Sequence, residues 1–172
     1  MPQPTELEAR ASLVRIMRAM DAKGLNRGTS GNVSMRWGEG LLVTPSGVVP
    51  DDLTPESIVL LDADGRAPAG ALKPSSEWRM HAGILARRPD ARAVVHCHAR
   101  YATILACARK PIPAVHYMVG VSGGSSVPVA PFVDISSNTC SHRPSERSVV
   151  RNCEAAWHLV QTSATAWKSC GS

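Results

Sequence analysis

Two histidines one residue apart, His96 and His98, close the apolar run Ala93-Val94-Val95-His96-Cys97-His98. Such a run reads as the end of a β-strand, where side chains at i and i+2 share a face. Two neutral imidazoles side by side can hold one divalent metal ion. Hydrogen bonding alone would also satisfy them, so the pair by itself leaves both readings open. Cys97 points to the other face and reads as core. Glu77 lies about one helix length upstream, behind Ser75-Ser76. A carboxylate there can bind metal or act as acid/base, or simply complement a helix dipole.

Three polar turns suit an anion. Thr29-Ser30-Gly31-Asn32 offers hydroxyls, an amide and backbone N–H groups, and Ser46-Gly47 offers a smaller version. Ser75-Ser76 stands at a helix start, where unpaired N–H groups favour phosphate. Each alone is most simply a turn or a cap. Three in one small domain, beside a histidine pair, point to a phosphorylated ligand.

The elements that must position these groups follow from period and punctuation. Leu7, Ala11, Val14, Met17 and Met20 recur at helical spacing over 5–23. Thr5 and Glu8 form a capping box at its start, and Gly24 a stop. Val33 to Trp37 alternates as a strand, Gly38-Glu39-Gly40 turns, and Leu41 to Thr44 pairs back. Ile58 to Leu61 is a short buried strand, and Asp62 to Gly65 a hairpin turn. Ser75-Ser76-Glu77 caps a helix from Trp78 to Arg87, which Pro89-Asp90 ends. The histidine strand follows, then a helix from Tyr101 to Ala108, and Pro111 to Tyr117 is extended. Beyond Phe132 the apolar period fades, apart from Val149-Val150 and Ala155 to Val160.

At 172 residues, 44% hydrophobic and 19% charged, the chain suits one compact domain. Aromatics are only 4%, so the core must rest on Val, Leu, Ile, Ala and Met. The net charge of +5 and pI of about 9.2 come without a Lys/Arg run or interleaved aromatics. That is scattered solvated charge, which favours an anionic substrate modestly and gives no nucleic-acid signature. No apolar stretch approaches the roughly 20 residues of a membrane span, and polar Met1 to Glu8 does not read as a signal peptide. The five cysteines sit at irregular spacings and give no disulfide framework. A cytoplasmic location is expected.

Five stretches resemble the class II aldolase/adducin family, most closely its zinc-dependent L-fuculose-1-phosphate aldolase branch. They are Gly-Leu-Asn-Arg-Gly-Thr-Ser-Gly-Asn-Val-Ser at 24–34, Leu-Val-Thr-Pro-Ser-Gly at 42–47, Lys-Pro-Ser-Ser-Glu-Trp at 73–78, Ala-Val-Val-His-Cys-His at 93–98 and Ile-Pro-Ala-Val-His-Tyr-Met at 112–118. The resemblance implies an α/β (α+β) three-layer fold, a mostly antiparallel sheet flanked by helices, assembled as a homotetramer. It implies that His96 and His98 are zinc ligands and that Glu77 is the catalytic acid/base and approaches the metal. Asn32, Ser46, Gly47, Ser75 and Ser76 become the phosphate cradle. Tyr117 becomes a residue that reaches a neighbouring subunit's site and protonates the aldehyde oxygen. The implied reaction cleaves a phosphorylated ketose such as L-fuculose 1-phosphate to dihydroxyacetone phosphate and an aldehyde. Zinc acts as Lewis acid, and no Schiff-base lysine is needed. The alternatives are a pentulose-phosphate 4-epimerase or a non-catalytic or truncated member.

The resemblance covers 1–132 and stops there. Ala130-Pro131-Phe132 is not followed by the family's Thr-Phe-Gly-Thr segment. The Asn-His-Gly that supplies its third zinc ligand is missing, as are its terminal helices. His158 falls near the expected distance in a different setting, and His142 is a poorer match. Residues 133–172 are therefore expected to be a non-family, irregular tail, from a changed reading frame or from genuine divergence. Weak zinc binding, low stability and little activity would follow.

Overall fold

A computed structural model describes residues 4–117, 119 and 125–130, and the backbone of 150–151 and 157–161. Helix α1 spans Glu6–Ala22. Its capping box forms: Thr5 Oγ accepts from the Glu8 N–H at 3.3 Å, and Glu8 Oε2 accepts from the Thr5 N–H at 2.7 Å. Gly24 follows the helix at φ 68°, the left-handed conformation that ends helices without a Cβ penalty. Leu13, Val14, Ile16, Met17 and Met20 form its buried stripe.

Seven strands build one sheet: β1 Asn32–Trp37, β2 Gly40–Val43, β3 Val59–Leu61, β4 Ala93–Cys97, β5 Val129–Ala130, β6 Val150–Arg151 and β7 Trp157–Gln161. Their order is β3-β2-β1-β4-β7-β6-β5, antiparallel except for the β5–β6 pair. Because side chains alternate along a strand, the same strands feed two cores. On one face Val33, Leu42 and Cys97 meet Leu13 and Met17 of α1 with Leu53 and Ile58. On the other, Leu41, Val43, Val59, Leu61 and Val94 meet Leu85 of helix α2, Trp78–Arg87. Helix α3 spans Arg100–Cys107 beyond β4. The result is the expected helix–sheet–helix α+β architecture, and Cys97 is core, as its strand position requires.

Three local expectations change. The Asp62–Gly65 turn forms, with the Gly65 N–H donating to the Asp62 carbonyl at 3.0 Å, but the next element is α2 rather than a returning strand. Pro68 and Gly70 interrupt the chain where that strand would run. Glu77, not a serine, occupies the N-cap position of α2, without a side-chain cap bond. Ser75 is held instead by β2: its N–H donates to the Thr44 carbonyl at 3.0 Å, while its Oγ accepts from the Glu77 N–H at 3.3 Å.

The third change lies in the tail. The weak apolar patch around Ala155 to Val160 contributes β7, which pairs with β4 from Ala93↔Gln161 to Cys97↔Trp157. It is strand rather than irregular chain, because the outer edge of β4 would otherwise leave a row of backbone groups unpaired. His158 stands in register opposite His96. His142, Cys140, Cys153, Cys170 and the rest of the tail lie outside the described residues.

Candidate active site

The site is built where β1, β4 and the start of α2 meet. Asn32 stands opposite His96 in the β1–β4 register, and opposed residues share a face. Both are buried. Glu77, at the N-terminus of α2, lies over them. Its Oε2 accepts from Asn32 Nδ2 at 2.6 Å and stands 3.3 Å from His96 Nε2. His98 lies one residue past the end of β4, yet its Nε2 is 2.8 Å from His96 Nε2. The i, i+2 geometry thus persists beyond the last ladder pair.

The His98 backbone is held in turn. Its N–H donates to Oδ1 of the buried Asn26 at 3.0 Å. Asn26 rests on Gly31, where φ is 75° and a Cβ would collide with the Asn26 amide. Only glycine fits there without moving Asn26. His81 is a second residue with no sequence signal. It lies one turn after Glu77, is fully buried, and sets Nδ1 2.7 Å from Ser34 Oγ. Burial, and secondarily the nearby His96, push its pKa down to about 3, so the ring is neutral.

Two imidazole nitrogens and a carboxylate oxygen suit zinc in kind. As placed, the pair shares a hydrogen bond, since two nitrogens on one tetrahedral zinc stand about 3.3 Å apart. Among the described residues, no group of three or more His, Cys, Asp or Glu is arranged to hold a metal ion. Opening the His96–His98 contact by about half an ångström reaches the ligand spacing, so the donor set fits zinc.

The serine turns come together beside this group. Thr44 is tied to β1 by a Val33 N–H bond to its Oγ1 at 3.2 Å and by its own N–H to the Val33 carbonyl at 3.1 Å. A Pro45↔Pro74 bridge and a Ser46 N–H bond to the Lys73 carbonyl at 2.8 Å then set Ser46-Gly47 against Ser75-Ser76. Ser46, Gly47 and Ser76 are exposed, and Gly47, at φ 76°, has open space on its Cβ side. The third turn divides: Asn32 faces Glu77, whereas Ser30 closes its own turn through Arg27.

Tyr117 stands apart. It is 80% exposed, with its ring on His116 at 4.4 Å between centroids. A groove of about 1120 Å³ between α1 and α3, lined by Met20, Leu25, Cys97, Thr103 and Ile104, reaches His98 and Ser30 but not Glu77, Ser46-Gly47 or Ser75-Ser76.

Comparison with known proteins gives this constellation a setting. The family model described as the class II aldolase and adducin N-terminal domain matches residues 11–171. A 5-methylthioribulose-1-phosphate/5-deoxyribulose-1-phosphate aldolase of Rhodospirillum rubrum is 48% identical over 128 residues, 74% of this chain and 58% of that protein. An L-fuculose phosphate aldolase of Escherichia coli (strain K12) is 45% identical over 122 residues, 71% of this chain and 56% of that protein. The chain thus aligns with a little over half the length of these curated relatives. Among solved structures, an L-fuculose 1-phosphate aldolase superposes with a TM-score of 0.82 at 29% identity, covering 95% of this chain and 80% of that one. The L-fuculose-1-phosphate aldolase of Thermus thermophilus gives 0.74 at 27% identity, covering 94% and 84%.

Proposed function

Because the chain belongs to the class II aldolase and adducin family, we propose that it is a zinc-dependent aldolase cleaving a ketose 1-phosphate, such as L-fuculose 1-phosphate, to dihydroxyacetone phosphate and an aldehyde. The observation that supports this best is the position of Glu77 Oε2, 2.6 Å from Asn32 Nδ2 and 3.3 Å from His96 Nε2, with His98 Nε2 converging on His96. A structural glutamate at a helix start needs neither a buried amide partner nor a histidine pair.

His96 and His98 would hold the zinc, with Glu77 beside them. When bound, zinc supplies Lewis-acid stabilisation of negative charge developing on substrate oxygens. Asn32, Ser46, Gly47, Ser75 and Ser76 form the cradle that binds the phosphate with amide, hydroxyl and backbone N–H groups and fixes the substrate by a part that does not react. Glu77 Oε2 moves the proton at the carbon left electron-rich by C–C cleavage, and Asn32 Nδ2 orients that carboxylate. Tyr117, exposed on its own copy, serves the aldehyde oxygen of a neighbouring copy in a homotetramer. The donor groups among the described side chains fall within 1–132. Two imidazoles alone would hold zinc more weakly than a closed histidine set. The matched relatives are named as aldolases, and no contact among the described residues favours the epimerase reading.

Dihydroxyacetone phosphate is the shared product for L-fuculose 1-phosphate, 5-deoxyribulose 1-phosphate and 5-methylthioribulose 1-phosphate. One coupled assay with added zinc therefore tests the class. Glu77→Gln should lower kcat by about 10²–10⁴-fold. Absence of product from all three substrates at saturating zinc would sink the reading.

A further inference from the structure

Three polar contacts tie β1 to α2 in step. Asn32 Nδ2 meets Glu77 Oε2 at 2.6 Å, and Ser34 Oγ meets His81 Nδ1 at 2.7 Å. An Arg36 guanidinium nitrogen then donates to the Leu85 carbonyl at 2.6 Å, near those of Arg88 and Ala91. The strand positions are two apart and the helix positions four apart. Two strand residues advance about 6.7 Å and four helix residues about 6.0 Å. The mismatch over the whole ladder is therefore roughly 1.5 Å, small enough for side chains to absorb.

The first rung belongs to the site and the third caps the end of the helix. The side-chain hydrogen bond of the middle rung reaches neither, although His96 lies near the His81 ring. The rung is also costly. His81 is fully buried, and its Nε2 has no hydrogen-bond partner among the described residues. An unmet N–H is dearer than an unmet lone pair next to apolar groups, so the proton sits on Nδ1 and donates to Ser34 Oγ. Leucine or phenylalanine would fill this place more cheaply. Apolar contact is non-directional, however, and lets a helix slide, whereas a bond of 2.7 Å fixes its register.

We propose that the Ser34–His81 pair is a positioning device, setting α2 on β1 so that the Glu77 carboxylate rests on Asn32 and faces His96. The inference rests on reading Glu77 as the acid/base and His96 as a zinc ligand. His81 is a positioning residue, since its side-chain hydrogen bond goes to Ser34 and it acts by placing α2, which carries Glu77.

The test uses the full chain with Ser34→Ala, His81→Gln and His81→Asn. The Asn amide lies where the imidazole Nδ1 lies and keeps the rung; the Gln amide lies where Nε2 lies and loses it. Urea midpoints, zinc affinity by competition with a chromophoric chelator, and kcat and KM for dihydroxyacetone phosphate release are measured on each. Ser34→Ala and His81→Gln should lower kcat by roughly 10–100-fold with little change in KM. They should weaken zinc about 10-fold. His81→Asn should return both to within about 3-fold of the parent, although its urea midpoint is as low as that of His81→Gln. The proposal is overturned if zinc affinity and kcat simply follow the urea midpoints, with Asn no better than Gln. If the parent shows no turnover, or Glu77→Gln leaves kcat unchanged, the functional reading fails, and zinc affinity across the three variants still decides the positioning role.

Discussion

The two faces of β1 and β4 are made from alternate residues of the same short strands, yet they differ in kind. Toward α1 stand Val33, Met35, Trp37, Val95 and Cys97, an apolar surface under an apolar helix stripe. Toward α2 stand Asn32, Ser34, Arg36 and His96 beside the apolar Val94, met by Glu77 and His81. Burial on the first face contributes free energy in proportion to area and is indifferent to small shifts. The polar contacts of the second face add little net energy to its own apolar cluster around Val94 and Leu85, because each buried polar group must recover its lost hydration. What they add is position. Apolar packing on both faces thus holds the chain together, while the polar contacts on the α2 side aim three side chains.

The comparison breaks most visibly through a core residue of the first face. Leu13 of α1 is fully buried. Leu13→Ala should cost about 2–5 kcal/mol, from lost transfer energy plus the cavity left behind. Urea unfolding reads it. Zinc affinity of the folded fraction should be unchanged. A matching loss of zinc affinity would show that the α1 face also aims the site.

Gly31→Ala should give the opposite signature. The left-handed backbone costs the variant about 1–3 kcal/mol. The new Cβ also drives into Asn26, which holds the His98 N–H. Zinc affinity should therefore fall by more than the stability loss explains. A variant with parental zinc affinity would show that Asn26 does not position His98.

Much of this was legible in the residues. Thr5 and Glu8 marked the helix start, the bounds of α2 were readable from Trp78 and Pro89, and the His-X-His spacing placed two rings on one face. The polar ladder was not legible as such. Ser34 and Arg36 alternate with apolar residues and read as the solvent side of a half-buried strand, until α2 is known to cover them. His81 sits on an amphipathic helix, where a buried histidine has no pattern of its own. Asn26 acts across the fold on residue 98, which no local period reveals. The strand at Trp157–Gln161 was missed because five residues of mixed character acquire strand identity only from the open edge of β4.

The polar face also has a pH signature. In the folded chain the pKa of His81 is pushed down to about 3, while in the unfolded chain it returns to about 6.5. Above pH 6.5 the ring is neutral in both states and contributes no pH dependence. Below it only the unfolded chain takes the proton, so stability falls as pH drops from 6.5 toward 3. At about pH 5.5 the loss is about 1.4 kcal/mol. His81→Asn has no group titrating at that position and keeps His96, which lies near the ring, so the difference between the two urea curves at about pH 7.5 and about pH 5.5 isolates the histidine. Parallel curves would mean that His81 protonates in place, with the ring less enclosed than its burial indicates.

The smallest effect should come from the far end of α1. Thr5 and Glu8 are exposed, and their reciprocal bonds satisfy donors at the start of a helix whose buried stripe lies on the apolar face. Thr5→Ala removes the Oγ acceptor, and the Glu8 N–H turns to water. The cost should be about 0.5–1 kcal/mol, the low end for a cap because solvent replaces the lost bond. The Glu8 carboxyl, held below its usual range first by the Thr5 backbone N–H and then by the Thr5 hydroxyl, should titrate higher in the variant, which carboxyl NMR would detect. Zinc affinity and kcat should both stay at parental values. The apolar face transmits stability without transmitting position, so a frayed first turn should lower the urea midpoint and leave Glu77, His96 and His98 where they are. A fall in kcat at constant folded fraction would mean that the two faces are coupled through α1, and that the division of labour between them is incomplete.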